Sequence, residues 1–87
     1  MKKINLIKLE TLSNAEYPQE DKYPSGEIVK KGLMFPYSLP KVNECFHVYH
    51  GKLQPVYRTS LVQSVEKIED GYIITTLNSK YKIEIVK

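Results

Sequence analysis

A thiol and two imidazoles lie within six residues of one another, at Cys45, His47 and His50. An acyl-transfer centre would need the Cys45 thiol to pass its proton to an imidazole that a third group holds in place. In an extended chain Cys45 and His47 share a face, but side chains two residues apart stand in parallel at about 7 Å, beyond proton-transfer reach. No neighbouring acid is placed to orient the imidazole, so the chain is expected to be no enzyme. A structural zinc site takes four Cys or His ligands and a catalytic one at least three protein ligands. Cys45 and His47 offer two on one strand face and His50 falls on the other, so no metal is expected. Gly26, Gly32, Gly51 and Gly71 are scattered singly at turn positions rather than gathered into a phosphate-binding loop, which argues against a nucleotide cofactor. The acids Glu66, Glu69 and Asp70 read as exposed residues at a hairpin end, not as a general acid and base.

What remains is recognition by surface. The chain has seven tyrosines against two phenylalanines and no tryptophan. Tyrosine is favoured where the ring packs and the hydroxyl meets water or a partner. Tyr37, Tyr49, Tyr57 and Arg58, with Lys41 and Lys52 close in sequence, are the candidate binding residues. Gathered around one end of a small barrel, they could receive a protein segment or stack bases with cationic support. The same tyrosines would also serve to finish a thin core. The net charge of +3 is small for a nucleic-acid binder, and Arg58 is the only arginine.

The elements that must position these residues are short. At 87 residues the chain can build one hydrophobic core, and 41% apolar with 26% charged residues is the composition of a folded domain. No apolar run reaches the roughly 18 residues that cross a bilayer, and Lys8 and Glu10 interrupt the N-terminal run. A lone cysteine in so small a domain points to a reducing cytosol. Residues Met1 to Leu12 alternate imperfectly and read as an extended arm or edge strand. Residues Ser13 to Gly26, with Tyr17-Pro18 and Tyr23-Pro24, read as an irregular loop, because a residue before proline leaves the helical region.

The compact part is expected over residues 27–87. Ile28-Val29 precedes Gly32, which marks a bulge or bend, and Phe35-Pro36-Tyr37-Ser38-Leu39-Pro40 is apolar enough to cover an open end of the core. Residues Glu44 to Tyr49 form a strand with Phe46 and Val48 inward and Cys45, His47 and Tyr49 outward. A further strand runs from Val62 to Ile68, entered through Tyr57-Arg58-Thr59-Ser60. Asp70-Gly71 and Asn78-Ser79 are hairpin turns. A two-residue loop at Asn78-Ser79 pairs Ile74 with Ile83 and Tyr72 with Ile85, placing Tyr72, Ile74, Tyr81, Ile83 and Ile85 on the core face. Five or six short antiparallel strands in so short a chain must close or nearly close, since an open sheet leaves a face and two edges exposed. The fold expected is all-β, a small SH3-like β-barrel with an N-terminal arm.

From about Gly32 to Glu84 the chain resembles a loosely defined group of small proteins from bacteriophages and mobile elements of low-GC bacteria. The resemblance rests on Asn43-Glu44-Cys45-Phe46-His47-Val48, with Asn43 where that pattern has glycine, on Thr59-Ser60-Leu61-Val62, and on Thr76-Leu77-Asn78-Ser79-Lys80-Tyr81. These motifs are mostly structural: the Asn-Ser is a turn and the Thr-Ser starts a corner by side-chain-to-backbone bonding. The resemblance implies context and fold more than activity. The function expected is a non-enzymatic, cytoplasmic binding module acting on a protein partner, plausibly a host or phage protein that it regulates or inhibits. Nucleic-acid binding through Tyr49, Tyr57, Arg58 and the nearby lysines is the alternative. The chain is expected to be a monomer, or a homodimer joined through exposed strand edges.

Overall fold

The computed structural model describes residues 1–12, 24–51 and 54–87. In its first strand, β1 (Lys2–Thr11), Ile4 and Leu6 point inward and are fully buried, so the imperfect alternation resolves as a strand with one core face. It is followed by β2 (Ile28–Met34), a 3₁₀ turn (Pro36–Ser38), β3 (Cys45–Gly51), β4 (Gln54–Ile68), β5 (Gly71–Thr76) and β6 (Ser79–Ile85). Each strand pairs antiparallel with the next, and β1 pairs with β6 to close a six-stranded barrel. The all-β closed barrel is consistent with a small SH3-like barrel.

β1 is therefore neither an arm nor an edge. Lys2 to Ile7 pair with β2 while Ile4 to Thr11 pair with β6, so the barrel begins at residue 2 rather than 27. The physical reason is closure: without β1, two ladders would stop at unpaired edges and the core would lose Ile4 and Leu6. The Tyr-Pro loop lies outside the described residues except for its end, where the Gly26 N–H donates to the Lys8 carbonyl at 2.6 Å and the Lys8 N–H to the Glu27 carbonyl at 2.9 Å. The core joins Ile4, Leu6, Val29, Met34, Phe46, Val48, Val62, Ile74, Tyr81 and Ile83. Phe46 and Val48 face inward, as the alternation of β3 predicts. Lys8 continues the inward row of Ile4 and Leu6 and is only 2% exposed.

The β5–β6 hairpin keeps the predicted faces with a different register. Ile74 pairs with Tyr81 and Tyr72 with Ile83, two residues away from the expected pairing. A shift of two leaves every side chain on its face, because the strand period is two. Thr76 causes the shift. Its Oγ1 accepts the N–H groups of Asn78 (3.3 Å) and Ser79 (3.1 Å) and donates to the Ser79 carbonyl (3.0 Å), so Thr76 faces Ser79 and the loop is Leu77-Asn78 instead of Asn78-Ser79. The β4–β5 turn also moves. Ile68 pairs with Gly71, so Glu69-Asp70 forms the loop, and Gly71 (φ 152°) lies beyond it. A Cβ on Gly71 would strike the Ile83 carbonyl oxygen.

β4 runs as one 15-residue strand and bends at a bulge. Cys45 pairs with Leu61 and His47 with Arg58, so Phe46 faces two residues, Thr59 and Ser60. The extra residue breaks the backbone ladder. The hydroxyl of buried Thr59 restores it, accepting the Phe46 N–H at 3.0 Å and donating to the Ser60 carbonyl at 2.8 Å. The Thr-Ser pair thus serves a bulge inside a strand, not the start of a corner. β2 and β3 share only the pair Leu33 and Tyr49. A Cβ on neighbouring Gly32 would lie 2.5 Å from Val48 Cγ1 and 2.6 Å from the Tyr49 carbonyl oxygen, so glycine is what lets the two strands touch.

Two outcomes follow from this arrangement. Thr59→Val keeps the shape and leaves the buried Phe46 N–H unpaired, so it should cost about 1–3 kcal/mol, read as a lower midpoint in urea with an unchanged slope. At the β4–β5 turn, the hydrogen bond and charge of Lys82, 3.0 Å away, hold the Asp70 carboxyl below its usual range. A depressed carboxylate pKa stabilises the fold above the unfolded value, and that contribution is lost as pH falls through the folded value. An NMR titration should show Asp70 titrating low, with Lys82→Met returning it upward.

Candidate functional site

Loop Phe35 to Pro40 covers one end of the barrel, as its apolar composition predicts. The Phe35 N–H donates to Ser38 Oγ (2.8 Å), the Ser38 hydroxyl to the Phe35 carbonyl (3.2 Å), and the Ser38 N–H to the same carbonyl (2.9 Å). Pro36, at the first position of the 3₁₀ turn, fixes φ and has no N–H to leave unpaired. This short, cross-braced turn aims two rings differently. Phe35 is 8% exposed, whereas Tyr37 is 59% exposed.

Tyr37 stacks flat on Phe35, with ring centroids 5.2 Å apart and planes 2° from parallel. Tyr49, on the outward face of β3, meets Phe35 edge-on at 5.7 Å and Tyr37 at 6.3 Å. His47 lies two residues back on the same face, 6.2 Å from Tyr49. Arg58 pairs with His47 across the β3–β4 ladder and is exposed. The structure thus brings together Tyr37, Tyr49 and Arg58 of the predicted set, and adds Phe35 and His47. These rings favour edge-on and offset contact, which fixes their relative positions.

Tyr57 does not join them. It pairs with buried Val48 and packs against the core from the inward face, so consecutive residues Tyr57 and Arg58 point to opposite sides. For this ring, completing the core was the correct alternative. Lys41 also stands apart. It is exposed in the turn where its carbonyl accepts the Glu44 N–H, just before β3, about 13 Å along the strand from Tyr49 at 3.3 Å per residue. Lys52 lies outside the described residues.

Two concavities flank the aromatic cluster. On the outer wall, a groove of about 480 Å³ is lined by Lys3, Asn5, Lys31, Leu33, Tyr49 and His50 among others. At the barrel mouth, a smaller hollow of about 270 Å³ is lined by Met34, Phe35, Pro36, Leu39, Tyr72 and Ile85 among others. Tyr49 borders the first and Phe35 the second, so the rings form the ridge between them. Lys3 and Lys31 escaped the sequence reading because β1 was read as an arm. Only the β1–β2 register reveals that they lie on neighbouring strands.

Cys45 is half-buried opposite Leu61, and His47 stands opposite a cation instead of a carboxylate. Among the described residues no group of three Cys, His, Asp or Glu side chains could hold a metal ion, and no helix is long and apolar enough to cross a membrane.

The division of labour between the stacked rings is testable by paired substitution. Phe35→Ala should destabilise the fold by about 3 kcal/mol or more, whereas Tyr37→Ala, removing an exposed ring in contact with Phe35 and Tyr49, should cost about 1 kcal/mol. Thermal unfolding of both variants reads the contrast directly, and equal losses would show that Tyr37 is a core residue.

No protein-family model, curated protein or solved structure matches the chain.

Proposed function

We propose that this chain is a non-enzymatic binding module that acts by protein–protein interaction, with the Phe35, Tyr37 and Tyr49 cluster as its contact. The observation that carries the reading is Tyr37, a large ring 59% exposed yet stacked flat on a buried neighbour. Tyrosine anchors of this kind bury much area on binding and lose little side-chain entropy, because few rotamers are available to them beforehand. The resemblance to small phage and mobile-element proteins supplies a context, a host or phage protein in the cytosol that the contact regulates or inhibits.

Arg58 beside His47 and Tyr49 favours a second reading, in which single-stranded nucleic acid stacks on the rings. The mouth hollow favours protein, since its apolar lining suits an aliphatic side chain, which nucleic acid lacks.

Affinity capture with the full chain and its Tyr37→Ala variant tests the reading. A specific protein retained at micromolar concentration by the parent chain and lost by Tyr37→Ala, with unfolding temperature nearly unchanged, is the expected result. Recovery of no such protein, together with oligonucleotide binding that falls steeply between about 50 and 200 mM salt, would replace it with the nucleic-acid reading.

A further inference from the structure

Lys3 and Lys31 lie on neighbouring strands. Lys3 pairs with Leu33 and Asn5 with Lys31, so the two lysines are diagonal neighbours on the outward face. Diagonal positions in an antiparallel pair are about 7–8 Å apart, close enough for two like charges to repel. Among the described residues neither lysine makes an ion pair. Glu84, facing Asn5 in the β1–β6 ladder, accepts a hydrogen bond from the Asn5 amide at 3.0 Å. The outer groove therefore holds two neighbouring lysines without an ion pair among the described residues, His50 at its border, and the Glu84 carboxylate diagonal to Lys3 across the β1–β6 ladder.

The mouth hollow is the more apolar of the two. Met34, Phe35, Pro36, Leu39 and Ile85 give it an aliphatic and aromatic lining, the Tyr72 ring contributes to its wall, and Met1 and Lys2 border it. Leu39 is among the exposed large apolar side chains. Phe35 lines the hollow and Tyr49 the groove, and their ring centroids are 5.7 Å apart. An extended chain advances about 3.3 Å per residue, so about two residues cover the 5.7 Å between those ring centroids.

Resting on the reading of this chain as a protein-binding module, we infer that its partner presents an extended segment with an aliphatic or aromatic anchor and an acidic residue at a fixed short spacing from it. The anchor fills the mouth hollow, the backbone crosses the ring of Tyr37, and the carboxylate meets Lys3 and Lys31. Desolvating the anchor supplies affinity, while the lysines set orientation and exclude segments that carry a cation there. An acidic residue also relieves the repulsion between the lysines, so binding and local electrostatics favour the same partner.

The test is selection from a displayed library of random 12-residue peptides on the full chain. Enriched peptides should share the anchor and the acid at that spacing. Lys31→Glu should weaken them about tenfold or more, and replacing the peptide's acid by lysine should restore binding to that variant. ¹⁵N-labelled protein should show shifts at Leu39 and Tyr72 together with Lys31 and Tyr49. Peptides that lose binding on Tyr37→Ala but ignore Lys31→Glu and carry no acidic bias would overturn this inference and leave the protein-binding reading standing. Failure to enrich any peptide, alongside single-stranded oligonucleotide binding that Tyr37→Ala abolishes, would overturn both.

Discussion

The seating of β1 between β2 and β6 is the constraint on which the rest of the barrel depends. β1 gives the core Ile4 and Leu6 from its inward face and gives both neighbours a hydrogen-bonded ladder. Removing it from the sheet would expose rows of N–H and C=O groups on β2 and β6 and open the interior from the side. A domain of this size has little buried area in reserve to offset such a loss. The same strand builds the surface described above: Lys3 and Asn5 on its outer face border the groove, while its beginning, at Met1 and Lys2, borders the mouth.

Closing six strands around so narrow a core forces register shifts into the ladders of β1 with both its partners, of β3 with β4 and of β4 with β5. Each shift removes backbone pairing that buried N–H groups need. Side-chain hydroxyls make up part of the difference. Thr59 binds the Phe46 N–H at the β3–β4 bulge, and Thr76 binds two N–H groups in the last hairpin loop. Asn43, with φ 71°, supplies the left-handed residue ahead of β3, a conformation asparagine tolerates better than most residues that carry a Cβ. Among the described residues no buried side-chain nitrogen or oxygen lacks a hydrogen-bond partner. The short polar motifs at Thr59 and Thr76 are the places where the barrel repairs its own ladders.

That division explains what the sequence could and could not disclose. Alternation assigned the faces of β3, β5 and β6 correctly, because side-chain orientation depends only on parity. Register depends on where the loop sits, and Thr76, bonding across to Ser79, sets the last loop one residue earlier, at Leu77-Asn78, so the pairing slid by two while the faces stayed. Residues Met1 to Leu12 misled for a different reason. Lys8 faces inward at only 2% exposure, and a lysine in the core row breaks the pattern by which a two-sided strand is recognised. Tyr57 and Arg58 were grouped by adjacency, although neighbours on a strand face opposite ways. Tyr37 and Tyr49, twelve residues apart, meet only because a 3₁₀ turn folds Phe35 and Tyr37 back over β3, which no local pattern encodes.

The outer surface carries two features that add little to the isolated barrel. Tyr57 shows how this chain completes its core with a tyrosine, by turning the ring inward beside Val48. Tyr37 follows the other course, with most of its ring surface in water while the turn beneath it is braced by three hydrogen bonds. Exposed apolar surface held in place forfeits the burial that would stabilise it, at about 25 cal/mol per Å². Lys3 and Lys31 likewise stand as neighbouring like charges, in a sheet where opposite charges across a ladder would have been favourable. Tyr37 stacks on the ridge and the lysines line the groove beside it, so a partner offering apolar surface with negative charge beside it would meet both at once. The rigidity of the turn matters here as much as its exposure, because a ring already held in its bound position leaves less conformational entropy to lose on association.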